Sequence, residues 1–105
     1  MGTERSRDTL SQWPLRFVWD PGKAVSNERK HGVGFREATT AFDDSLSVTI
    51  PDPDHSVDEE RFLLLGVSNG RRLLVIAHTE RGEAIRIISA RRANRRERRI
   101  YEEAD

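Results

Sequence analysis

The sequence predicts an α+β domain, with helices packed on a mainly antiparallel sheet in the order β-α-α-β-β-β-α. Three observations carry this prediction. Two apolar runs, residues 61–67 and 72–77, are joined by Ser68-Asn69-Gly70-Arg71, and Asn-Gly between apolar runs is a strong hairpin signal. Asp20-Pro21 opens a stretch that closes at Gly32, which reads as an N-cap, a proline at the first helical position and a glycine stop. Near the other end, Asn94 stands three residues before Glu97, the spacing of a capping box, just after a β-favouring run containing Ile87 and Ile88.

The remaining elements follow in order. Residues 1–15 are polar, aperiodic and interrupted by Pro14, and read as a flexible N-terminal arm; residues 16–105 read as a single domain. Residues 16–19 form a short strand with Phe17 and Trp19 on one face. On the helix ending near His31, Lys23, Asn27, Lys30 and His31 fall at i, i+4, i+7 and i+8 and so share a face. That face is either a solvated stripe or a row of donors for an anion; spacing alone leaves both open. A second helix spans 35–42, with Phe35, Ala38, Ala41 and Phe42 inward. Leu46, Val48 and Ile50 alternate with polar residues, as in a half-buried strand. The acidic segment 51–60 contains two prolines and His55 but neither the glycine nor the ligand spacing of a calcium loop, so no metal is expected there. Unbroken apolarity in 61–67 and 72–77 places these strands centrally. Residues 81–83 turn the chain into a further strand over 84–90, and an arginine-rich helix ends the domain, lying across an end or on the other sheet face.

Composition narrows the function. The chain has 105 residues, 35% hydrophobic and 34% charged, which suits one small core under a heavily charged surface. Without cysteine there is no disulfide, thiolate zinc site or cysteine nucleophile. No apolar run reaches membrane-spanning length and no secretory signal is evident, so a cytoplasmic protein is expected. The formal net charge of zero hides a split. Residues 43–60 hold seven acids and no lysine or arginine, whereas residues 81–99 hold eight arginines against Glu83 and Glu97. Charges of both signs can merely solvate a small domain. The arginine bias, with only Lys23 and Lys30 as lysines, points instead to a polyanion site.

Residues from both ends resemble the BrnT toxin family. They are Phe17-Val18-Trp19-Asp20, Lys23, Asn27, Lys30-His31-Gly32-Val33, Phe35, Ala38 and Phe42-Asp43-Asp44, then Glu60-Arg61, Gly66, Thr79-Glu80-Arg81, Arg86-Ile87-Ile88-Ser89-Ala90-Arg91, Ala93, Glu97-Arg98 and Tyr101. The likeness covers residues 16–103. Gly34 departs from it, standing where members often carry a polar helix cap. The resemblance implies a RelE-like fold and a bacterial ribonuclease toxin that arrests translation and growth. It also implies a BrnA-like antitoxin with a ribbon-helix-helix domain, encoded nearby, in a heterotetramer that meets operator DNA only through the antitoxin. The acidic 43–60 segment is a possible attractor for a basic antitoxin, which charge reversal there would test.

RNA cleavage requires a 2′-hydroxyl to lose its proton, phosphorus to be attacked and phosphorane charge to be stabilised. Fixed cations can supply that charge, so neither metal nor cofactor is expected. Arg81 and Arg91, at strand ends beside turns, are expected to clamp the phosphate, and Arg86, Lys23, Arg95 and Arg98 to bind RNA. His31 is the expected acid or base, imidazole being the side chain whose ordinary pKa lies nearest neutrality, with Lys30 supporting the anion and Tyr101 stacking on a base or donating a proton. His55 and His78 are weaker alternatives. Structural roles stay open for Arg86, paired with Glu83, for His31, closing its helix, and for Tyr101, in the core. A module that binds nucleic acid or antitoxin without cutting, acting as co-repressor, also suits the basic surface.

Overall fold

The computed structural model describes residues 15–53 and 60–104. β1 (Arg16–Val18) leads into helix α1 (Pro21–His31) and helix α2 (Phe35–Thr40), which tightens into a 3₁₀ turn at Ala41–Asp43. Strands β2 (Val48–Pro51), β3 (Phe62–Val67), β4 (Leu73–Arg81) and β5 (Ala84–Arg92) follow, then helix α3 (Arg95–Glu103). The sheet order is β1-β5-β4-β3-β2. β1 runs parallel to β5 and every other neighbouring pair is antiparallel, so the α+β architecture and element order agree with the sequence reading.

Local chemistry sets the helix boundaries. Asp20 Oδ1 accepts from the Gly22 N–H at 2.9 Å, and Gly32 closes α1 in the left-handed region at φ 72°. At α3 the Asn94 side chain accepts from the Glu97 N–H at 2.8 Å, while Glu97 Oε1 accepts from the Asn94 N–H at 2.9 Å, which completes the capping box. Gly34 offers α2 no side-chain cap, and that helix is six residues long before it tightens.

Three details differ from the sequence reading. Leu46 lies outside the strand and is 69% exposed, because Asp44 takes the local hydrogen bonds: its carboxylate accepts from the Leu46 N–H and its carbonyl from the Ser47 N–H. In the β3–β4 hairpin the left-handed residue is Arg71, at φ 62°, and not Gly70. The turn closes through Ser68 N–H to the Arg72 carbonyl and Arg71 N–H to the Ser68 carbonyl, so a residue after the Asn-Gly pair absorbs the reversal. β5 runs on to Arg92, with a register shift opposite Ala77/His78 that leaves Ile88 without a cross-strand partner. The arm expected over residues 1–15 falls, but for its last residue, outside the described residues, as does His55 with most of the acidic segment.

The main core lies between the sheet and the N-terminal helices. It comprises Val33, Phe35, Ala38, Ala41, Leu64, Leu74, Ile76, Ile87 and Ala90. Phe17 packs edge-on against Phe42, and Trp19 against Phe35, at the margin of this core. Glu37 anchors α2 to the hairpin: its carboxylate accepts from Arg72 Nε and Nη2 and from the Ser68 hydroxyl. The Arg72 hydrogen bonds hold the Glu37 carboxyl below its ordinary value, against the opposing effect of burial.

On the opposite sheet face Leu65, Val75 and Arg91 stand in one cross-strand row. Helix α3 packs against β3 there and reaches Arg91 through Glu97, so it covers the other sheet face, one of the two placements expected for it.

Candidate functional site

The anchor of the site is Asn27, the one buried residue of α1. Its Nδ2 donates to the Val33 carbonyl at 3.0 Å and to the Ala90 carbonyl at 2.8 Å, and its Oδ1 accepts from the Ala90 N–H at 3.1 Å. β1 pairs only with residues 84–86 of β5, so Asn27 satisfies a stretch of β5 edge that β1 leaves open. The helix is thereby fixed against that edge.

Around this anchor, Lys23, Ser26, Asn27, Lys30 and His31 of α1 and Ser89 of β5 line a shallow depression of about 220 Å³. The shared face expected for Lys23, Asn27, Lys30 and His31 therefore exists, but Asn27 spends its amide on backbone. Ser26 and Ser89 add two hydroxyls to the cations. Sequence reasoning gave neither a role; the sign available was Ser89 beside the buried Ala90 within the arginine-flanked motif.

Ile87 and Ala90 point into the core, so Arg86, Ser89 and Arg91 occupy the other side of β5. Arg91 engages Glu97 through both terminal nitrogens, Nη1 to Oε1 at 2.8 Å and Nη2 to Oε2 at 2.7 Å. Glu97 is held below the ordinary carboxylate range chiefly by these hydrogen bonds, with burial opposing. The Arg91 side chain remains 39% exposed. Beyond it, Arg95, Arg96, Arg98 and Arg99 are exposed along α3.

The structure does not bring Arg81 to this place. Arg81 pairs with Ala84 and Val75 with Arg91, so six positions along β4 separate them, about 20 Å at roughly 3.3 Å per residue. The expectation that Arg81 and Arg91 close on one phosphate is corrected accordingly: they stand at opposite ends of the β4–β5 ladder. Arg86 lies between, half-buried, in register with Val18 and Thr79.

Tyr101 is also apart from the depression. It sits in the last turns of α3, where its hydroxyl donates to Asp44 Oδ2 at 2.5 Å and its pKa is pushed up to about 12, chiefly by that hydrogen bond. Burial acts to raise the Asp44 carboxyl. Hydrogen bonds from Tyr101, Val67 and Leu46 outweigh burial and hold it low. His78 is 5% exposed, wedged between Phe42 and Phe62, and burial lowers its pKa to about 4. Neither of its ring nitrogens has a hydrogen-bond partner, so it is a core histidine without access to substrate.

Among the described residues no three His, Asp or Glu side chains converge as a metal-binding group. No helix among them is long and apolar enough to cross a membrane. The assembled features are a cationic depression with hydroxyls, a carboxylate-held arginine on the adjoining strand, and an arginine-studded helix. Such a surface can bind a phosphodiester backbone.

A family model described as the ribonuclease toxin BrnT of a type II toxin–antitoxin system matches residues 19–97. The fold is similar to the crystal structure of the Brucella abortus ribonuclease toxin BrnT, with 23% sequence identity, 77% of this chain and 99% of that chain covered, and a TM-score of 0.61. No curated protein sequence matches.

Proposed function

The chain belongs to the BrnT family of ribonuclease toxins of type II toxin–antitoxin systems, and on that premise we propose that it cleaves RNA without a metal, by 2′-hydroxyl attack on the phosphodiester. The observation that carries this reading is the gathering of Lys23, Lys30, His31 and Ser89 around one depression, with Arg91 two residues beyond Ser89 on β5. Lys23, Lys30 and Arg91 bind the reacting phosphate and stabilise the charge that develops on it. His31 moves the proton, because it is the only imidazole among the lining residues. Arg95 and Arg98 track the backbone along α3, and Arg81 and Arg86 meet phosphates farther along the strand. Tyr101, its hydroxyl committed to Asp44, offers RNA a ring face for stacking rather than a proton.

The partner is a BrnA-like ribbon-helix-helix antitoxin. Two-fold pairing of its DNA-binding domain gives a heterotetramer, and operator DNA is reached only through it. The working compartment is the bacterial cytoplasm, where RNA is exposed.

The test is cleavage of a long RNA by purified protein, with EDTA and without ribosomes. Cleavage is expected in the native protein and lost in Lys30→Ala, His31→Ala and Arg91→Ala. Arg81→Ala is expected to weaken binding and to flatten its salt dependence by about one counterion. RNA binding with a steep salt slope but no product, with or without translating ribosomes, would identify a binding module and overturn the catalytic reading. Cleavage only with ribosomes present would assign the target to the translating complex.

A further inference from the structure

We infer that Glu97 is a positioning residue: it grips Arg91 by the end of its guanidinium fork and presents the side edge of that fork to one RNA phosphate. The inference rests on the reading above that Arg91 meets the phosphate.

A guanidinium carries five N–H donors in a plane. In Arg91 three are accounted for: one from Nη1 goes to the Arg92 carbonyl at 3.3 Å, the other to Glu97 Oε1, and one from Nη2 goes to Glu97 Oε2. The two left over are Nε–H and the neighbouring Nη2–H. They lie parallel on one edge and match two oxygens of a phosphate. Without Glu97 the guanidinium would turn about a flexible stem, and either edge could meet the anion. The carboxylate that prevents this is deeper than the arginine it holds, with side-chain exposures of 17% and 39%. It is fixed in turn by the Asn94 N–H in the first turn of α3. The helix start and the arginine are thus one assembly, and Ser89, two residues earlier on the same side of β5, belongs to the lining of the cationic depression.

Glu97→Gln separates this role from helix capping. Glutamine still offers an oxygen to the Asn94 N–H and is accepted at this capping-box position, but its amide cannot balance the guanidinium charge. The expected result is a folded protein with an unfolding midpoint near that of the native chain, a kcat lowered about tenfold or more, and a KM that is unchanged or lower. The last follows because an uncompensated Arg91 still attracts RNA while its geometry is lost. Arg91→Lys, which keeps the charge but has no fork, is expected to lose kcat to a similar extent even if Glu97→Gln folds poorly. The double variant should be little worse than either single one, because Glu97 acts through Arg91.

Native kcat in a folded Glu97→Gln, or in Arg91→Lys, would overturn the inference and leave Glu97 a helix cap. Full cleavage by Arg91→Ala would be a different failure, removing Arg91 from the site and refuting the reading on which the inference stands.

Discussion

Asn27 and Ala90, 63 positions apart, are joined as two strand residues would be: the Asn27 side chain donates to the Ala90 carbonyl and accepts from its N–H. A side-chain amide presents an N–H and a C=O on one edge, as a strand residue does with its own N–H and C=O, so it completes an edge that β1 is too short to cover. Asn27→Ala is expected to destabilise the fold by about 2–4 kcal/mol in urea unfolding, because the buried Ala90 and Val33 backbone groups lose their partner. Asn27→Asp, which can accept but cannot donate, should be at least as damaging. A shift below about 0.5 kcal/mol for the alanine variant would mean that water replaces the amide without loss.

Arg71 holds a left-handed backbone, φ 62°, that costs a residue with a Cβ about 1 kcal/mol. The side chain itself is exposed. Arg71→Gly should therefore raise the stability by roughly 0.5–1 kcal/mol, the relief of strain being partly offset by the freer unfolded chain. Destabilisation in the same chemical unfolding experiment would show that the Arg71 side chain contributes more than its backbone costs.

The chain has a single tyrosine, so phenolate absorbance reads Tyr101 directly. In the native protein its titration is expected near 12, because the hydrogen bond to Asp44 must break when the phenol ionises. Asp44→Asn should bring it back towards about 10. The sign for stability follows: a folded-state pKa above the unfolded value contributes stability at lower pH that is lost as pH rises through the window from about 10 to 12. An unshifted titration in the native protein would remove the Tyr101–Asp44 bond from solution.

What could be read in the sequence was whatever is local. Asp20-Pro21, Gly32 and the Asn94/Glu97 pair fix helix ends by bonds spanning two to four residues, and all three signals appear where expected. The same locality placed Lys23, Lys30 and His31 on one helical face, which the structure turns towards β5. Leu46 fitted a strand pattern, yet the Asp44 side chain, an equally local competitor, holds it in a turn. Arg81 and Arg91 both looked like arginines beside turns. Only the hairpin register shows that those turns lie at opposite ends of the same ladder. Asn27 read as one more surface donor, because periodicity cannot tell a face that meets water from one that meets an open strand edge. Glu97 was legible as a cap, whereas its second role needed β5 folded beneath it.

His78 sets a pH limit on the fold. Its ring lies between Phe42 and Phe62, with centroids 5.1 Å and 5.8 Å away, and neither nitrogen is hydrogen-bonded. Burial lowers its pKa to about 4, whereas an unfolded histidine titrates near 6.5. Between those values the unfolded chain binds the proton and the folded one does not, so stability falls as pH drops from about 6.5 towards 4, by up to roughly 3 kcal/mol in all. The paired carboxylates Glu37 and Glu97 act lower: their depressed pKa values contribute stability that is lost only as pH falls from about 4.5 downwards. Urea unfolding at a series of pH values separates the two windows. His78→Leu, similar in volume and without orphaned nitrogens, is expected to match or exceed native stability at neutral pH and to flatten the curve above about pH 4.5. A leucine variant as acid-sensitive as the native chain in that upper window would show that another group carries the effect.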